Sequence, residues 1–197
     1  MKIGLFFGSF NPIHHAHLII ANYILNQKLV DKIWFIVSPH NPLKESKSLL
    51  NENHRLHLVN LAIEGESNLR ASDAEFHLPR PSYTSYTLNH LKEKYPDNQF
   101  VVIMGGDSFQ NIIKWKNYEY ILNNYNIILY NRPGFIIENT LSAHLTIVNA
   151  PLLELSATEI RRLISEKKSI RYMLPDNVIE EIEKGGYYRA TKRSSEK

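Results

Sequence analysis

The sequence predicts an α/β fold in which a doubly wound, mainly parallel sheet is followed by a small helical C-terminal cap. Two observations support this prediction. Short apolar runs recur along the chain without alternating polar residues, which is typical of strands buried on both faces of a parallel sheet. Stretches with helical spacing lie between these runs, so strands and helices alternate as they do in consecutive βαβ units.

The first three quarters of the chain supply the predicted strands and most of the predicted helices. The strands are Lys2–Phe7, Ile33–Val37, Phe100–Met104 and Asn126–Tyr130, with Thr146–Val148 as a candidate last strand. Apolar residues recur at helical spacing in His17–Leu29, Glu52–Glu64 and Tyr83–Tyr95. In the second of these helices, we expect His54 and His57, which have Arg55 between them, to form a solvated face.

The C-terminal part of the sequence predicts two more helices. Ser156 followed by Glu159 is the pattern of a capping box, and apolar residues at helical spacing come after it. A second helix is expected to start at Pro175-Asp176 and to end at Gly185-Gly186. The predicted helical cap therefore runs from about residue 156.

Composition and charge exclude several classes of protein. Of the 197 residues, 43% are hydrophobic and 22% are charged, so the chain is not expected to be disordered. No apolar run approaches the ~18 residues of a membrane span. The sequence contains no cysteine, which excludes disulfides and cysteine nucleophiles and fits a reducing compartment, the cytoplasm.

The net charge of +3 comes from the last ten residues. Residues 1–187 are neutral, and we therefore expect no face that binds nucleic acid. Residues 188–197 are expected to be a basic, flexible tail. Nothing in the sequence specifies an oligomeric state.

The loop after the first strand is the strongest candidate for a site. It runs from Gly8 to His17 and enters a helix, whose free N–H groups and positive dipole end suit a phosphate. His14 and His17 are three residues apart and would share one face of that helix. Zinc ligation would need a third ligand in a chain without cysteine, and two structural histidines are a further alternative. The loop matches neither a P-loop nor a dinucleotide fingerprint.

Two motifs resemble signatures of the nucleotidylyltransferase superfamily. Gly8-Ser9-Phe10-Asn11-Pro12 with His14-His15-Ala16-His17 is similar to its first motif, and Ser156-Ala157-Thr158-Glu159-Ile160-Arg161 is similar to its second. The resemblance implies a Rossmann-like fold and a single nucleotidylyltransferase domain over residues 1–187. Ala16 stands where the family usually has glycine, which puts a methyl group near the expected phosphates and can alter the affinity for ATP.

The middle of the chain resembles bacterial nicotinate-nucleotide adenylyltransferases. The residues that carry this resemblance are Asp73-Ala74-Glu75, Pro81-Ser82-Tyr83-Thr84, Thr87-Leu88, Gly105-Gly106-Asp107, Trp115 and Arg132-Pro133-Gly134. Tyr86 stands where that family often has an acid. The implied reaction joins nicotinate mononucleotide to the α-phosphate of ATP and releases pyrophosphate. Alternatives are another phosphate acceptor, such as nicotinamide mononucleotide or phosphopantetheine, and a non-catalytic nucleotide-binding module.

The resemblance also implies roles for individual residues. The expected catalytic residues are His14, His17, Lys44 and Arg161. The expected ATP-binding residues are Gly8, Ser9, Phe10, His14, His17, Gly105, Asp107, Ser156, Thr158 and Arg161. The expected nicotinate-nucleotide-binding residues are Tyr83, Thr84, Trp115, Lys44 and Arg132.

Several of these roles have ordinary alternatives. Lys44 can equally be a solvated loop lysine, Asp107 can cap the next helix, and Trp115 can be a core aromatic. Mg²⁺ is expected to accompany ATP, held by phosphates and water, and no protein ligand for it is predicted.

Overall fold

Six parallel strands form one sheet in the computed structural model, which describes residues 1–39, 49–130, 141, 143–151 and 153–189. The strands are β1 (Lys2–Gly8), β2 (Lys32–Val37), β3 (Leu69–Ser72), β4 (Gln99–Gly105), β5 (Asn126–Tyr130) and β6 (Leu145–Val148). Their order across the sheet is β3-β2-β1-β4-β5-β6, and each neighbouring pair is parallel. The predicted doubly wound, Rossmann-like α/β fold is confirmed.

Seven α-helices connect or follow the strands in the described part of the chain. They are α1 (His15–Asn26), α2 (Glu52–Ala62), α3 (Thr84–Lys94), α4 (Gly106–Gln110), α5 (Tyr118–Asn124), α6 (Ala157–Ser165) and α7 (Asp176–Gly185). Two short 3-10 helices, Ala74–His77 and Ile112–Lys114, complete these elements. None of the helices in the described ranges is long and apolar enough to span a membrane.

The sheet is covered on both faces, which explains why its strands are apolar without alternation. In β1, Leu5 and Phe6 are both buried but belong to two different apolar clusters. The cluster of Phe6 includes side chains of α1, α2, α6 and α7, and the cluster of Leu5 includes side chains of α3, α4 and α5. The C-terminal helices therefore pack on the same face of the sheet as α1 and α2.

Several predicted elements differ from the observed ones. The short strand β3 was not predicted, because its sequence Leu-Arg-Ala-Ser contains no apolar run. Helix α1 begins at His15 and ends at Asn26, instead of spanning His17–Leu29, and the chain turns through Lys28 at a φ of 54°. Helix α5 was missed, since it has only seven residues, and the five-residue α4 was anticipated only in the alternative that Asp107 caps the helix after it.

The expected tail begins within the folded structure. Tyr188 donates a hydrogen bond from its hydroxyl to Oδ1 of Asn11 over 2.9 Å. Arg189 donates to the main-chain oxygen of Glu183 over 2.8 Å. The remaining tail, residues 190–197, lies outside the described residues.

The arrangement of the strands places a crevice at the middle of the sheet. Strands β1 and β4 are neighbours, and their chains leave toward opposite faces, β1 into α1 and β4 into α4. In open sheets of this kind, ligands bind at the carboxyl ends of the strands where the direction of winding changes. Gly8 and Gly105, which end these two strands, mark that point.

Candidate active site

The loop between β1 and α1 is shaped by the packing of one aromatic ring. Phe10 is 2% exposed and adopts a left-handed conformation with a φ of 43°. A Cβ atom added to Gly8 would lie 2.8 Å from this ring, closer than atoms can approach without a shift. Gly8 therefore allows the ring of Phe10 to fold back against the end of β1.

His14 and His17 lie together at the start of α1. Their rings are stacked, with centroids 3.8 Å apart and an interplanar angle of 29°. His14 is the N-cap of the helix and His17 lies in its first turn, so the two are adjacent although only His17 is helical. The main-chain N–H of His14 donates to Nδ1 of His17 over 3.3 Å. In the neutral ring the proton of His17 is consequently on Nε2, which makes Nε2 a hydrogen-bond donor.

The surroundings of both imidazoles favour their neutral forms. Burial, with a smaller contribution from His15, lowers the pKa of His14 to about 4. Burial also lowers the pKa of His17, and the adjacent His14 lowers it further. The ring of His17 lies edge-on to Phe6 and Phe10, at centroid distances of 5.9 and 5.1 Å. At neutral pH the ligand-free site therefore presents neutral N–H donors at this position.

Helix α6 brings the second motif to the same loop. Ser156 caps the helix, because its hydroxyl oxygen accepts from the main-chain N–H of Glu159 over 3.1 Å, as predicted. Arg161 donates from Nη1 to the main-chain oxygen of Asn11 over 2.7 Å. Its Nη2 donates to the hydroxyl of Thr158 over 3.2 Å. The two motifs, 150 residues apart along the chain, are thus in direct contact.

A fully buried arginine joins the loops that follow β1 and β2. Arg55 is 0% exposed, and its guanidinium donates to main-chain oxygens of Ser9, Ser38 and Pro39 at 2.5, 2.8 and 3.0 Å. Its Nε donates to the main-chain oxygen of Leu50 over 2.7 Å. Arg55 lies between His54 and His57 in the sequence, yet it faces the interior and not the solvent. Sequence offered no signal for its role, since its acceptors are backbone carbonyls of distant loops.

His54 and His57 are exposed, as expected, and each also contacts the C-terminal part of the chain. The hydroxyl of Tyr187 lies 2.9 Å from Nδ1 of His54. Nε2 of His57 lies 3.8 Å from a carboxylate oxygen of Glu181 in α7. The predicted solvated face is therefore confirmed for these two histidines, and it borders the residues that α2 contacts in and after α7.

The start of α3 lies beside the loop that carries Trp115. Tyr83 is the N-cap residue and Thr84 the first residue of the helix. Nζ of Lys116 lies 4.8 Å from the ring centroid of Tyr83 and 4.9 Å from that of Tyr86. Trp115 is partly buried against the apolar cluster of α3, α4 and α5. The geometry thus brings the cation of Lys116 to the first turn of α3 and leaves the neighbouring Trp115 against the apolar cluster that includes α3.

The buried carboxyl group of Glu75 forms hydrogen bonds with residues at the start of α3. Glu75 is 2% exposed and accepts hydrogen bonds from the hydroxyls of Ser82, over 2.7 Å, and Thr87, over 3.0 Å. Burial raises the pKa of Glu75, and these hydroxyls partly oppose the rise. The sequence contained Glu75 within a recognised motif but assigned it no role. Its observed contacts connect the segment before α3 with the helix itself.

The remaining predicted site residues are placed as follows. Gly105 is the N-cap residue of α4, and Asp107 lies in the first turn of that helix, so the alternative that Asp107 is the cap is wrong. Ser9 accepts from Arg55 through its main-chain oxygen. Ala16 is buried in the first turn of α1. Lys44 and Arg132 lie outside the described residues.

The described side chains of the candidate site do not form a metal-binding site of their own. Among the described residues, no group of three or more His, Cys, Asp or Glu side chains could hold a metal ion. The zinc alternative for His14 and His17 accordingly gains no third ligand from this part of the chain. A divalent ion that arrives with ATP can instead be held by phosphate oxygens and water.

Comparison with known proteins identifies the class of protein that this fold and site define. Residues 5–163 match the model of the cytidylyltransferase-like family, and the chain belongs to that family.

Relatives with full-length similarity narrow the group further. A Flavobacterium johnsoniae protein named "Probable nicotinate-nucleotide adenylyltransferase" is 47% identical over 192 residues, which cover 96% of this chain and 100% of that protein. A Bacteroides thetaiotaomicron protein of the same name is 45% identical over 183 residues, covering 92% of this chain and 91% of that protein. The resemblance to nicotinate-nucleotide adenylyltransferases found in the sequence is confirmed.

A solved structure gives the same fold. The Plasmodium falciparum nicotinic acid mononucleotide adenylyltransferase complexed with NaAD superposes with a TM-score of 0.80 at 23% sequence identity. The match covers 95% of this chain and 97% of that chain. At this identity the likeness establishes the architecture shared by the two proteins.

Proposed function

We propose that this chain joins nicotinate mononucleotide to the α-phosphate of ATP, forming nicotinate adenine dinucleotide and pyrophosphate as a step of NAD biosynthesis. The observation that carries the proposal is the direct contact between the two motifs, in which Arg161 binds the loop that leads to His14 and His17. The full-length relatives that bear the name of this activity support the choice of acceptor.

The reaction itself needs no general base. An oxygen of the mononucleotide phosphate attacks the α-phosphorus of ATP, and the bond from that phosphorus to the bridging oxygen of the β-phosphate breaks. The electron pair of that bond leaves with pyrophosphate. Since the second pKa of a phosphate monoester is about 6, the nucleophile is largely a dianion at neutral pH. The protein must therefore align two anions and stabilise the charge that moves onto the leaving group.

The residues of the crevice match these requirements. We assign Nε2 of His17 as a donor to the α-phosphate, with His14 contacting the adjacent phosphates. Arg161 and the hydroxyls of Ser156 and Thr158 would contact the β- and γ-phosphates. Binding of a polyanion favours protonation of an imidazole, so the burial that keeps the ligand-free rings neutral would be offset once ATP is present.

The first turn of α3 is the proposed site for the carboxylate of the pyridine ring. The free N–H groups of Thr84 and its neighbours, at a helix start, favour an anion over a neutral carboxamide. Trp115 would stack on the ring. Asp107, in the first turn of α4, would accept hydrogen bonds from a ribose hydroxyl. Lys44 remains a proposed catalytic residue, and Lys44 and Arg132 remain proposed contacts of the nicotinate nucleotide.

Mg²⁺ is the proposed metal, and ATP would bring it to the site. The described residues fit an ion held mainly by phosphate oxygens and water, since they offer no cage of their own. When bound, such an ion would neutralise phosphate charge. The proposed place of action is the cytoplasm, where ATP is available.

The test is pyrophosphate release from ATP with each acceptor in turn. We expect rapid release with nicotinate mononucleotide and a much lower kcat/KM with nicotinamide mononucleotide. A higher kcat/KM with nicotinamide mononucleotide or with phosphopantetheine would replace the proposed acceptor. ATP binding without pyrophosphate release from any acceptor would instead identify a nucleotide-binding module.

A further inference from the structure

The side chain of Asn11 accepts hydrogen bonds from two distant parts of the chain. Asn11 is 3% exposed and lies three residues before His14. Its Oδ1 accepts from the main-chain N–H of Leu50 over 3.1 Å and from the hydroxyl of Tyr188 over 2.9 Å. Its main-chain oxygen accepts from Arg161 over 2.7 Å. The position of the β1–α1 loop relative to α6 is therefore defined at this residue.

The hydroxyl of Tyr188 is a neutral hydrogen-bond donor that feels the charges of Arg55 and Arg161. Burial raises the pKa of Tyr188, and the guanidinium groups of Arg55 and Arg161 only partly oppose the rise. The hydroxyl consequently keeps its proton throughout the neutral range. Tyr188 also lies among groups already connected to the site, because Arg55 binds the carbonyl of Ser9 and Arg161 binds that of Asn11.

We propose that Tyr188 is a positioning residue for ATP, and that its hydroxyl acts through Asn11 to hold the β1–α1 loop against α6. This inference rests on the proposed function, in which both of these elements contact one triphosphate. Without the hydroxyl, Oδ1 of Asn11 loses the donor that ties it to the C-terminal segment. The Asn11 carbonyl bound by Arg161 is then less firmly placed. Binding of the triphosphate should therefore weaken. Helix α3 belongs to the apolar cluster on the other face of the sheet, so binding of the mononucleotide at its first turn should be unaffected.

The neighbouring tyrosine provides a matched control. The hydroxyl of Tyr187 also forms hydrogen bonds, but its partners are Nδ1 of His54 on α2, over 2.9 Å, and the carboxyl group of Glu181 on α7. Tyr187→Phe and Tyr188→Phe therefore remove the same atom from adjacent positions. Only Tyr188→Phe removes a hydrogen bond to a residue of the β1–α1 loop, Asn11.

The experiment measures steady-state pyrophosphate release by the full chain with one substrate varied and the other saturating. For Tyr188→Phe we expect the KM for ATP to rise about three- to tenfold, the fold-change that corresponds to one neutral hydrogen bond. The KM for nicotinate mononucleotide should stay the same, and Tyr187→Phe should match the wild type for both substrates. Thermal melting of both variants verifies that they are folded.

Two outcomes would overturn the inference. One is an unchanged KM for ATP in Tyr188→Phe, and the other is an equal rise of both KM values, which would indicate a general structural effect. Calorimetric titration with ATP alone separates this inference from the proposed function. If the wild type binds ATP but releases no pyrophosphate, the proposed function fails, and the ratio of the two ATP dissociation constants still decides the role of Tyr188.

Discussion

The ring of Phe10 packs edge-on against the ring of His17, with their centroids 5.1 Å apart, and the Cζ end of the same ring lies against Gly8. The absence of a side chain at position 8 is thereby connected to the position of an imidazole nine residues later. The contact runs through a single buried ring, so a change at one end is transmitted to the other.

Replacement of Gly8 by alanine should displace the ring of Phe10 and, through it, disturb His17. The new Cβ would lie 2.8 Å from the ring of Phe10, which has to shift because the ring is buried. We expect kcat/KM for ATP to fall about 10- to 100-fold, as small misplacements of reacting groups cost this much. In the double variant Gly8→Ala/Phe10→Leu the smaller side chain leaves room, and the two effects should not add. Full activity of Gly8→Ala would contradict this connection.

Substitution of His17 by alanine should impair catalysis more than folding. In the proposed function, Nε2 of His17 donates to the α-phosphate as charge moves to the leaving group. Loss of one such donor typically lowers kcat by about 100- to 1,000-fold. The measurement is kcat at saturating substrates, with a thermal melt to show that the fold persists. Nearly full activity would refute the role assigned to His17.

The buried histidines should make the ligand-free protein less stable in acid. The folded-state pKa of His14, about 4, is below its ordinary value of 6.5. Between these values the unfolded chain binds more protons, so the free energy of unfolding falls as the pH drops from 6.5 toward 4. The contribution of His14 is on the order of 3 kcal/mol at full extent. The loss of stability caused by His14 is complete below about pH 4 and is absent above pH 6.5.

The contribution of His14 is isolated by comparison with His14→Asn. Denaturant unfolding at several pH values gives the free energy of unfolding of both proteins. Over this range we expect a smaller slope for the variant, in which His17 still contributes in the same direction. Glu75, whose raised pKa acts with the opposite sign as pH increases, is present in both proteins and cancels in the difference. Equal slopes would show that His14 is not kept neutral by the fold.

Lysine should not replace Arg55. The guanidinium of Arg55 donates to four main-chain oxygens from three segments, and an ammonium group cannot match that planar arrangement. Arg55→Lys should lower the free energy of unfolding by about 2–4 kcal/mol, because buried carbonyls lose their donors. Arg80→Ala serves as the control, since the Arg80–Glu52 pair is on the surface and is worth less than about 1 kcal/mol. Similar losses in both variants would contradict the central position of Arg55.

Lys116 should increase the preference for an acidic pyridine nucleotide. Its ammonium group lies over Tyr83 and Tyr86 at the first turn of α3, where the related family often has an acid at position 86. The charge of Lys116 therefore has no neighbouring carboxylate at that position. Lys116→Ala should lower the ratio of kcat/KM for acid over amide mononucleotide by about two- to fivefold. Lys114→Ala, which removes a lysine paired with Asn111, should leave the ratio unchanged, and an equal effect of both variants would contradict the assignment.

The sequence could predict those elements whose signal is local. The strands β1, β2, β4 and β5 are buried on both faces and therefore appear as uninterrupted apolar runs. The cap of α6 was recognisable because Ser156 and Glu159 form a local pattern. In contrast, β3 is a short edge strand with one polar and one charged residue, and its place depends on pairing with β2.

The candidate site was predictable to a similar degree. Motifs placed His14, His17 and Arg161 together, and the structure brings their loop and helix into contact. Arg55 could not be recognised, since an arginine between two histidines in a helix ordinarily faces water. Its burial depends on carbonyls of loops far away along the chain. Tyr188 was assigned to the tail for the same reason, because its partner is 177 residues away.

The hydrogen bond between Asn11 and Tyr188 has a consequence for synthesis on the ribosome. The β1–α1 loop is translated 177 residues before the hydroxyl that completes its contacts. A nascent chain can form β1 and its neighbours before the β1–α1 loop gains this contact. A protein truncated shortly before residue 188 would therefore have its sheet but lack the hydrogen bond from Tyr188 to the side chain of Asn11.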